Sequence, residues 1–335
     1  MFAHAFRALR RSVRDPGYLL YFLRNVDVLH DRFPRVCRWW RIDRKSLRLG
    51  GPRAFSRLHV ILRTTDRVLN VNASRDLREM GIETKADVIR VGACSLFPAA
   101  RKFVGRYGAS ALKVTVVADR LSEAGRRLYE RAAEGHALPL AFVASRGEGN
   151  GPSFQTQVDV ALRDSDDTLA LILEDDYLLD PDALVTAYSV LSGCSNVVGL
   201  NPHFHPDRIR FQDVRRFCAI GGRVYGRVGS TCCTFFMPVA EMRRHERRLR
   251  RYDGWEAGSI GEVWKRSICL APFGWTMAEH LHRPDLSPAC SARLASSVHG
   301  AREPGGGGLR QDEPGNRTDE LPTAAQEPFS VGQQP

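Results

Sequence analysis

From residue 58 onward, short apolar runs alternate with stretches whose apolar positions recur at helical spacing, the pattern of strands joined by crossover helices. Residues 58–62 read as the first strand and end in Arg63-Thr64-Thr65. A helical stretch follows near 72–80, and 86–91 reads as a further strand. The segment 112–118, LKVTVVA, is a near-continuous β-branched run of the kind buried on both faces, and it stops at Asp119. A helix over 122–134 and a strand over 138–144 lead to the loop Gly147-Glu148-Gly149-Asn150-Gly151, which opens a helix from about 153 to 163. The strand 168–173 runs directly into Glu174-Asp175-Asp176. Beyond it, Asp180 is the expected N-cap and Pro181 the first residue of a helix reaching 191. Strands are expected at 196–200, 217–220 and 230–237, and a very basic helix at 239–251. This order predicts an α/β, Rossmann-like fold with a mostly parallel central sheet flanked by helices.

Composition sets the frame around that pattern. With 335 residues, 43% of them hydrophobic, the chain is long enough for one large core. A basic amphipathic region is expected over 1–57, a main domain over 58–300 and a disordered tail over 301–335, where Gly305 to Gly308, Pro and Gln replace large apolar residues. Apolar runs such as 169–173 fall far short of the roughly 18–20 residues that cross a bilayer, so neither a transmembrane helix nor a secretory signal is expected. The eight cysteines form no CxxC pair, which favours a reducing cytoplasm.

The net charge of +11 points to nucleic acid only if it is spread over the fold. Residues 1–50 hold twelve Arg or Lys against four Asp, so +8 sits there and +3 is left for the other 285 residues. That distribution disfavours nucleic acid. Phe2, Phe6, Tyr18, Tyr21, Phe22, Trp39 and Trp40 interleave with the charges, a mixture suited to peripheral attachment at an anionic membrane face. The competing reading packs these aromatics on the main domain and turns the arginines to water.

Three acidic side chains directly after a buried strand are costly unless a ligand at that edge needs them, and strand ends of open α/β sheets are where ligands bind. Hard carboxylate oxygens suit Mg²⁺ or Mn²⁺, which bridges phosphates. Neighbours on a strand point in opposite directions, so the three cannot share one ion. Asp176 is assigned to the metal, and Glu174 or Asp175 to a ribose or a bound water. The plainer alternative is a solvated acidic turn capping the next helix.

The segment 168–184, TLALILEDDYLLDPDAL, resembles the strand, acidic motif and following helix of GT-A glycosyltransferases, particularly family 2-like enzymes and the eukaryotic N-acetylglucosaminyltransferase I type. The resemblance runs from about 58 to 288 and makes 58–300 the expected catalytic domain. It implies metal-dependent transfer, with Mn²⁺ or Mg²⁺, from a nucleotide-sugar donor to a hydroxyl of a glycan, lipid-linked or small-molecule acceptor. Donor contacts are implied at Arg63, Thr64, Thr65, Asp119, Asn150, Gly151, Glu174 and Asp175. An inverting transfer needs a carboxylate base. Tyr252-Asp253-Gly254-Trp255-Glu256 is similar to the family's turn before that base, making Glu256 the first candidate, Glu262 the second and Asp253 the third. The run 268–280 resembles the last core strand and a metal-completing histidine, His280, with His282 as its alternative. His203 and His205 share a strand-like spacing, but flanking prolines suggest a loop.

The run 231–237 resembles the strand lining the acceptor side, and the arginines of 243–251 suit an anionic acceptor or a solvated helix face. The Gln-x-x-Arg-Trp motif of processive synthases is missing, since 212–216 lacks the Trp, which implies transfer of a single sugar. A nucleotidyltransferase would also use an acidic metal site, but the 58–67 region has no Gly-rich phosphate loop. A non-catalytic basic protein binding a membrane surface or nucleic acid is the reading from a different class.

Overall fold

The computed structural model describes residues 47–67, 82–203, 216–229, 231, 234–251, 256–264, 266–272 and 275–281. Most of the basic N-terminal region, the helix expected near 72–80, His205, Asp253, His282 and the tail over 301–335 lie outside the described residues. In chain order the first elements are β1 (Arg57–Thr64), α1 (Lys85–Tyr107), β2 (Leu112–Ala118), α2 (Glu123–Glu134), β3 (Ala141–Ala144), α3 (Asn150–Ala161), β4 (Thr168–Glu174), β5 (Tyr177–Leu179), α4 (Ala183–Gly193) and β6 (Val197–Leu200). They are followed by β7 (Arg216–Ile220), β8 (Arg223–Arg227), β9 (Phe235–Pro238), α5 (Val239–Arg244), α6 (Glu246–Leu249), α7 (Glu256–Trp264), β10 (Ile268–Pro272) and β11 (Ala278–His280).

The large sheet has the order β3-β2-β1-β4-β9-β6-β10-β8-β7, and β5 pairs with β11 in a small second sheet. Its first four strands are parallel. Beyond β4 the sheet is mixed: β9 lies antiparallel between β4 and β6, β10 runs parallel to β6, and β8 and β7 close the edge antiparallel. With helices on both faces, this is an α/β, Rossmann-like fold. No helix among the described residues is long and apolar enough to cross a membrane.

The strand pleat sorts side chains between two cores. Leu58, Val60 and Leu62 of β1, with Leu169, Leu171 and Leu173 of β4, pack under α1 and α4. Ile61, Ala170 and Ile172 point the other way, toward Phe154 and Val158 of α3 and Ile260, Val263 and Trp264 of α7. Because both faces are covered, the strands read as continuous apolar runs, each buried Leu, Ile or Val contributing about 1.5–3 kcal/mol.

Several local expectations are corrected. Residues 86–91 form no strand; they are the first turns of α1. The β-branched Val88, Ile89 and Val91 mimic a strand, but a capping box between Thr84 and Asp87 satisfies the first amides, and the buried positions 88, 89, 92, 93, 96, 97, 100 and 103 follow helical spacing. The helix after the acidic motif begins at Ala183, with Asp182 as its N-cap, because Asp180 and Pro181 are used in the turn before it: the Asp180 carboxylate accepts from the Asp182 amide at 2.9 Å. The basic helix breaks at His245 into α5 and α6. Strands β5, β8 and β11 were not expected; β8 is reached from β7 through Gly221-Gly222, whose φ values of 58° and 75° suit a tight hairpin turn.

Candidate active site

The pleat that divides the core also divides the acidic triplet. Asp175 has the parity of Leu171 and Leu173, and it turns under α1. There Lys85 Nζ donates to one oxygen at 2.6 Å and Thr64 Oγ1 to the other at 2.7 Å. Burial pushes the Asp175 carboxyl up, against the pull of Lys85. Burial likewise pushes the Tyr129 phenol well up, so it stays a neutral hydroxyl and donates to Thr64 Oγ1 at 3.1 Å. Asp175 and Thr64, expected to meet the donor, are thus engaged with the fold beneath the site. Helix α1 approaches so closely that a Cβ at Gly92 would lie 2.6 Å from the Asp175 carbonyl oxygen.

Glu174 has the opposite parity. Its carboxylate takes a 2.5 Å ion pair from Arg63 Nη2, and its amide donates to Thr234 Oγ1 at 3.1 Å. Arg63 is buried and also donates through Nη1 to the Asn150 carbonyl at 2.8 Å. It therefore fastens the start of α3 to the end of β4. Asp119, at the end of β2, does the same from the other side: its Oδ2 accepts the Gly149 amide at 2.7 Å. Gly149 needs to be glycine for backbone reasons, since its φ is +88° and no atom stands where a side chain would go. The first turn of α3 carries no acidic residue and no side-chain cap, so its amides face the carboxyl edge where the dipole favours an anion. Gln157, fully buried in α3, donates to the Ile61 and Leu173 carbonyls at 2.6 and 3.0 Å and ties the ends of β1 and β4 together. Thr65 accepts the Arg67 amide at 3.3 Å.

Asp176 is the second residue past β4 and the last before β5, and the small sheet delivers its partner. Strand β11 pairs antiparallel with β5 so that His280 stands opposite Tyr177, and the Leu281 amide donates to the Asp176 carbonyl at 2.8 Å. His280 Nε2 then lies 3.0 Å from Asp176 Oδ2, and its ring meets Tyr177 edge-on at 5.0 Å. His203 is buried behind this sheet, with Nδ1 3.0 Å from the Ala278 carbonyl oxygen. One carboxylate and one imidazole form a mixed donor set compatible with Mn²⁺, an ion that commonly takes its remaining ligands from phosphates and water, while Mg²⁺ would use the carboxylate alone. Among the described residues, no group of three His, Cys, Asp or Glu gathers to hold a metal unaided.

The remaining expected residues lie on or beside other elements. Glu262 is bonded to Arg251 at 3.3 Å and lines an arginine-rich cavity instead of the strand ends. Glu256 is the first residue of α7. The arginines of 243–251 follow β9, which runs antiparallel to β4 and leaves the sheet at its opposite edge, so they do not border the acidic cluster as an acceptor site there would require. Sequence reading missed Lys85, Tyr129 and Gly92, while Thr234 fell in the run 231–237 without its bond to Glu174 being foreseen. Lys85 carried no signal of its own, because 86–91 reads as a strand and the helix start that makes a cation there unusual is seen only in the structure.

No family model matches the sequence, and no curated protein matches it. Solved structures to which the chain is similar include the mannosyltransferase PcManGT from Pyrobaculum calidifontis in complex with GDP-Man and Mn²⁺, at 16% identity over 73% of this chain and 62% of that one, with a TM-score of 0.40. S. aureus TarS 1–349 is similar at 11% identity over 72% and 70% of the two chains, with a TM-score of 0.43. Galactosyltransferase LgtC in complex with donor and acceptor sugar analogs is similar at 10% identity over 74% and 98%, again at 0.43. The chain spans less than two thirds of the mannosyltransferase's own length.

Proposed function

We propose that this chain is a metal-dependent glycosyltransferase of the GT-A type, moving a single sugar from a nucleotide-sugar to the hydroxyl of a glycan or lipid-linked acceptor. The observation that carries the reading is the meeting of Asp176 and His280 at 3.0 Å, brought together by a two-stranded sheet at the carboxyl edge. Asp176 and His280 would hold Mn²⁺, or Asp176 alone Mg²⁺, whose contribution is to neutralise the charge of the departing diphosphate. The chain's own residues supply the rest. The uncapped amides of Asn150 and Gly151 favour the same diphosphate through the dipole of α3, while Arg63 and Asp119 hold that helix start in place. The nucleoside lies along the ends of β1 and β2, near Thr65 and Asp119. Glu174, held at the edge by Arg63, meets the ribose or a bound water. Glu256 at the start of α7 takes the acceptor's proton in an inverting transfer; Glu262, paired with Arg251 in the arginine-rich cavity, is not given that role.

The test is hydrolysis of UDP-, GDP- and TDP-sugars with Mn²⁺, with and without EDTA, alongside thermal-shift binding of the same donors. One donor is expected to turn over with metal only. Asp176→Asn and His280→Ala should each lower that turnover by about 100-fold, roughly 2.7 kcal/mol of barrier, while both variants melt near wild type. If neither variant loses metal-dependent donor binding, the assignment of the pair is wrong.

A further inference from the structure

A second charged feature lies away from the strand ends. Arg244, Arg247, Arg248, Arg251 and Arg266 converge with His245 and Glu262 on a cavity of about 690 Å³. Positions 244, 247, 248 and 251 follow the spacing that places side chains on one helical face, across α5, α6 and the residues just beyond. The other arginines of this stretch are spent on the fold. Arg243 bonds Asp166 and the carbonyls of Leu162 and Asp164, and Arg250 bonds Asp159, Glu246 and Gln155.

Among the described residues, Glu262 is the one carboxylate that lines the cavity. Arg244 pairs with Glu241 at 2.9 Å and Arg251 with Glu262 at 3.3 Å. Arg248 Nη1 sits 2.9 Å from His245 Nδ1, an uncharged acceptor once the imidazole is neutral. Arg247 and Arg266 are exposed and have no carboxylate partner among the described residues. Arg244, Arg247, Arg248 and Arg251 bring like charge to one concavity, a repulsion that an anion would relieve. The cavity also lies toward the amino edge of the sheet, because Arg266 lies two residues before β10 and α5 immediately follows β9, which runs opposite to β4.

We propose that this cavity is a binding site for a phosphate-bearing anion, separate from the carboxyl-edge site. Guanidinium groups bind phosphate oxygens in pairs of parallel hydrogen bonds, and several converging on one concavity suit a phosphomonoester or diphosphate better than a single carboxylate. The phosphate comes either from a soluble compound or from an anionic lipid headgroup, and one experiment separates the two.

Full-length protein in EDTA, which denies the carboxyl-edge site its cation, is titrated at low salt with inorganic pyrophosphate and, separately, with phosphatidylcholine vesicles with and without phosphatidic acid. The comparison variants are Arg247→Gln/Arg266→Gln, which removes two arginines that have no carboxylate partner among the described residues, and Arg243→Gln, which removes one arginine outside the cavity. Affinity for pyrophosphate or for phosphatidic acid vesicles should fall roughly tenfold per cavity arginine. It should change little in Arg243→Gln, which instead melts lower. Binding of pyrophosphate without vesicle retention assigns a soluble ligand; vesicle retention lost in the double variant assigns the headgroup. Wild type that binds neither probe overturns the proposal. So does a double variant that binds both as wild type does, since the basic N-terminal region then accounts for the attraction. Donor turnover in Mn²⁺ should be unchanged in the double variant, which keeps this test independent of the carboxyl-edge assignment.

Discussion

Lys85 occupies the first position of α1, where the helix dipole disfavours a cation, and what holds it there is the buried Asp175 carboxylate 2.6 Å away. Breaking one side of such a pair leaves an uncompensated charge. Lys85→Met should therefore cost about 3 kcal/mol in urea denaturation, and Asp175→Asn in the same chain should recover part of it. A loss no greater than that of Lys102→Met, whose partner Asp182 is half exposed, would contradict this account. The acidic triplet itself was legible, because three carboxylates after a fully apolar run are conspicuous and strand parity separates 174 and 176 from 175. Lys85 and Tyr129 were harder to see. A lysine at a helix start reads as surface, and a tyrosine on an amphipathic helix reads as core; only the packing of α1 and α2 over the ends of β1 and β4 turns both toward Thr64 and Asp175.

Helix α1 contains two glycines with opposite roles. Gly92 lies against the Asp175 backbone, where a Cβ would come within 2.6 Å of the carbonyl oxygen, whereas Gly105 has no atom within 4 Å. Gly92→Ala should cost about 1–3 kcal/mol by forcing α1 off the acidic edge, and Gly105→Ala should add about 0.5–1 kcal/mol through helix propensity alone. Thermal melts of the two variants shifting in the same direction would defeat the argument. Elements with a long pattern, such as β2, β4 and α2, were readable from sequence within a few residues. Those that were not have identifiable physics. Residues 86–91 are β-branched yet capped as a helix, and β5 and β11 are three residues each, too short to show alternation and defined only by pairing with each other. The Gly221-Gly222 pair is a hairpin signal, and its strand β8 escaped because Arg223 and Arg227 interrupt the apolar pattern.

Across the whole molecule, stability should depend on pH through buried histidines. His59 is fully buried, bonded to Asp164 on one side and to Thr115 Oγ1 at 2.8 Å on the other. Burial lowers its pKa despite the pull of Asp164, and burial lowers His136 and His245 as well. An unfolded histidine titrates near 6.5, so below about that pH the unfolded chain takes up protons that the folded chain resists, and stability falls as pH falls. Burial raises the Asp164 carboxyl, but the bonds from His59 and Lys113 outweigh it and hold it below its usual value; its contribution persists to lower pH and is lost only under stronger acid. Urea midpoints should decline from pH 7 to pH 5, with a shallower decline in His59→Gln; equal slopes would assign the effect elsewhere. The small sheet has a consequence of its own in the order of synthesis. Its two strands, β5 and β11, are separated by roughly a hundred residues. Chains emerge amino end first, so the four parallel strands and the acidic edge are already made when His280 is still untranslated. The nascent protein is thus a scaffold without its imidazole, and a message truncated before codon 278 yields a chain with the acidic edge but without β11 and His280.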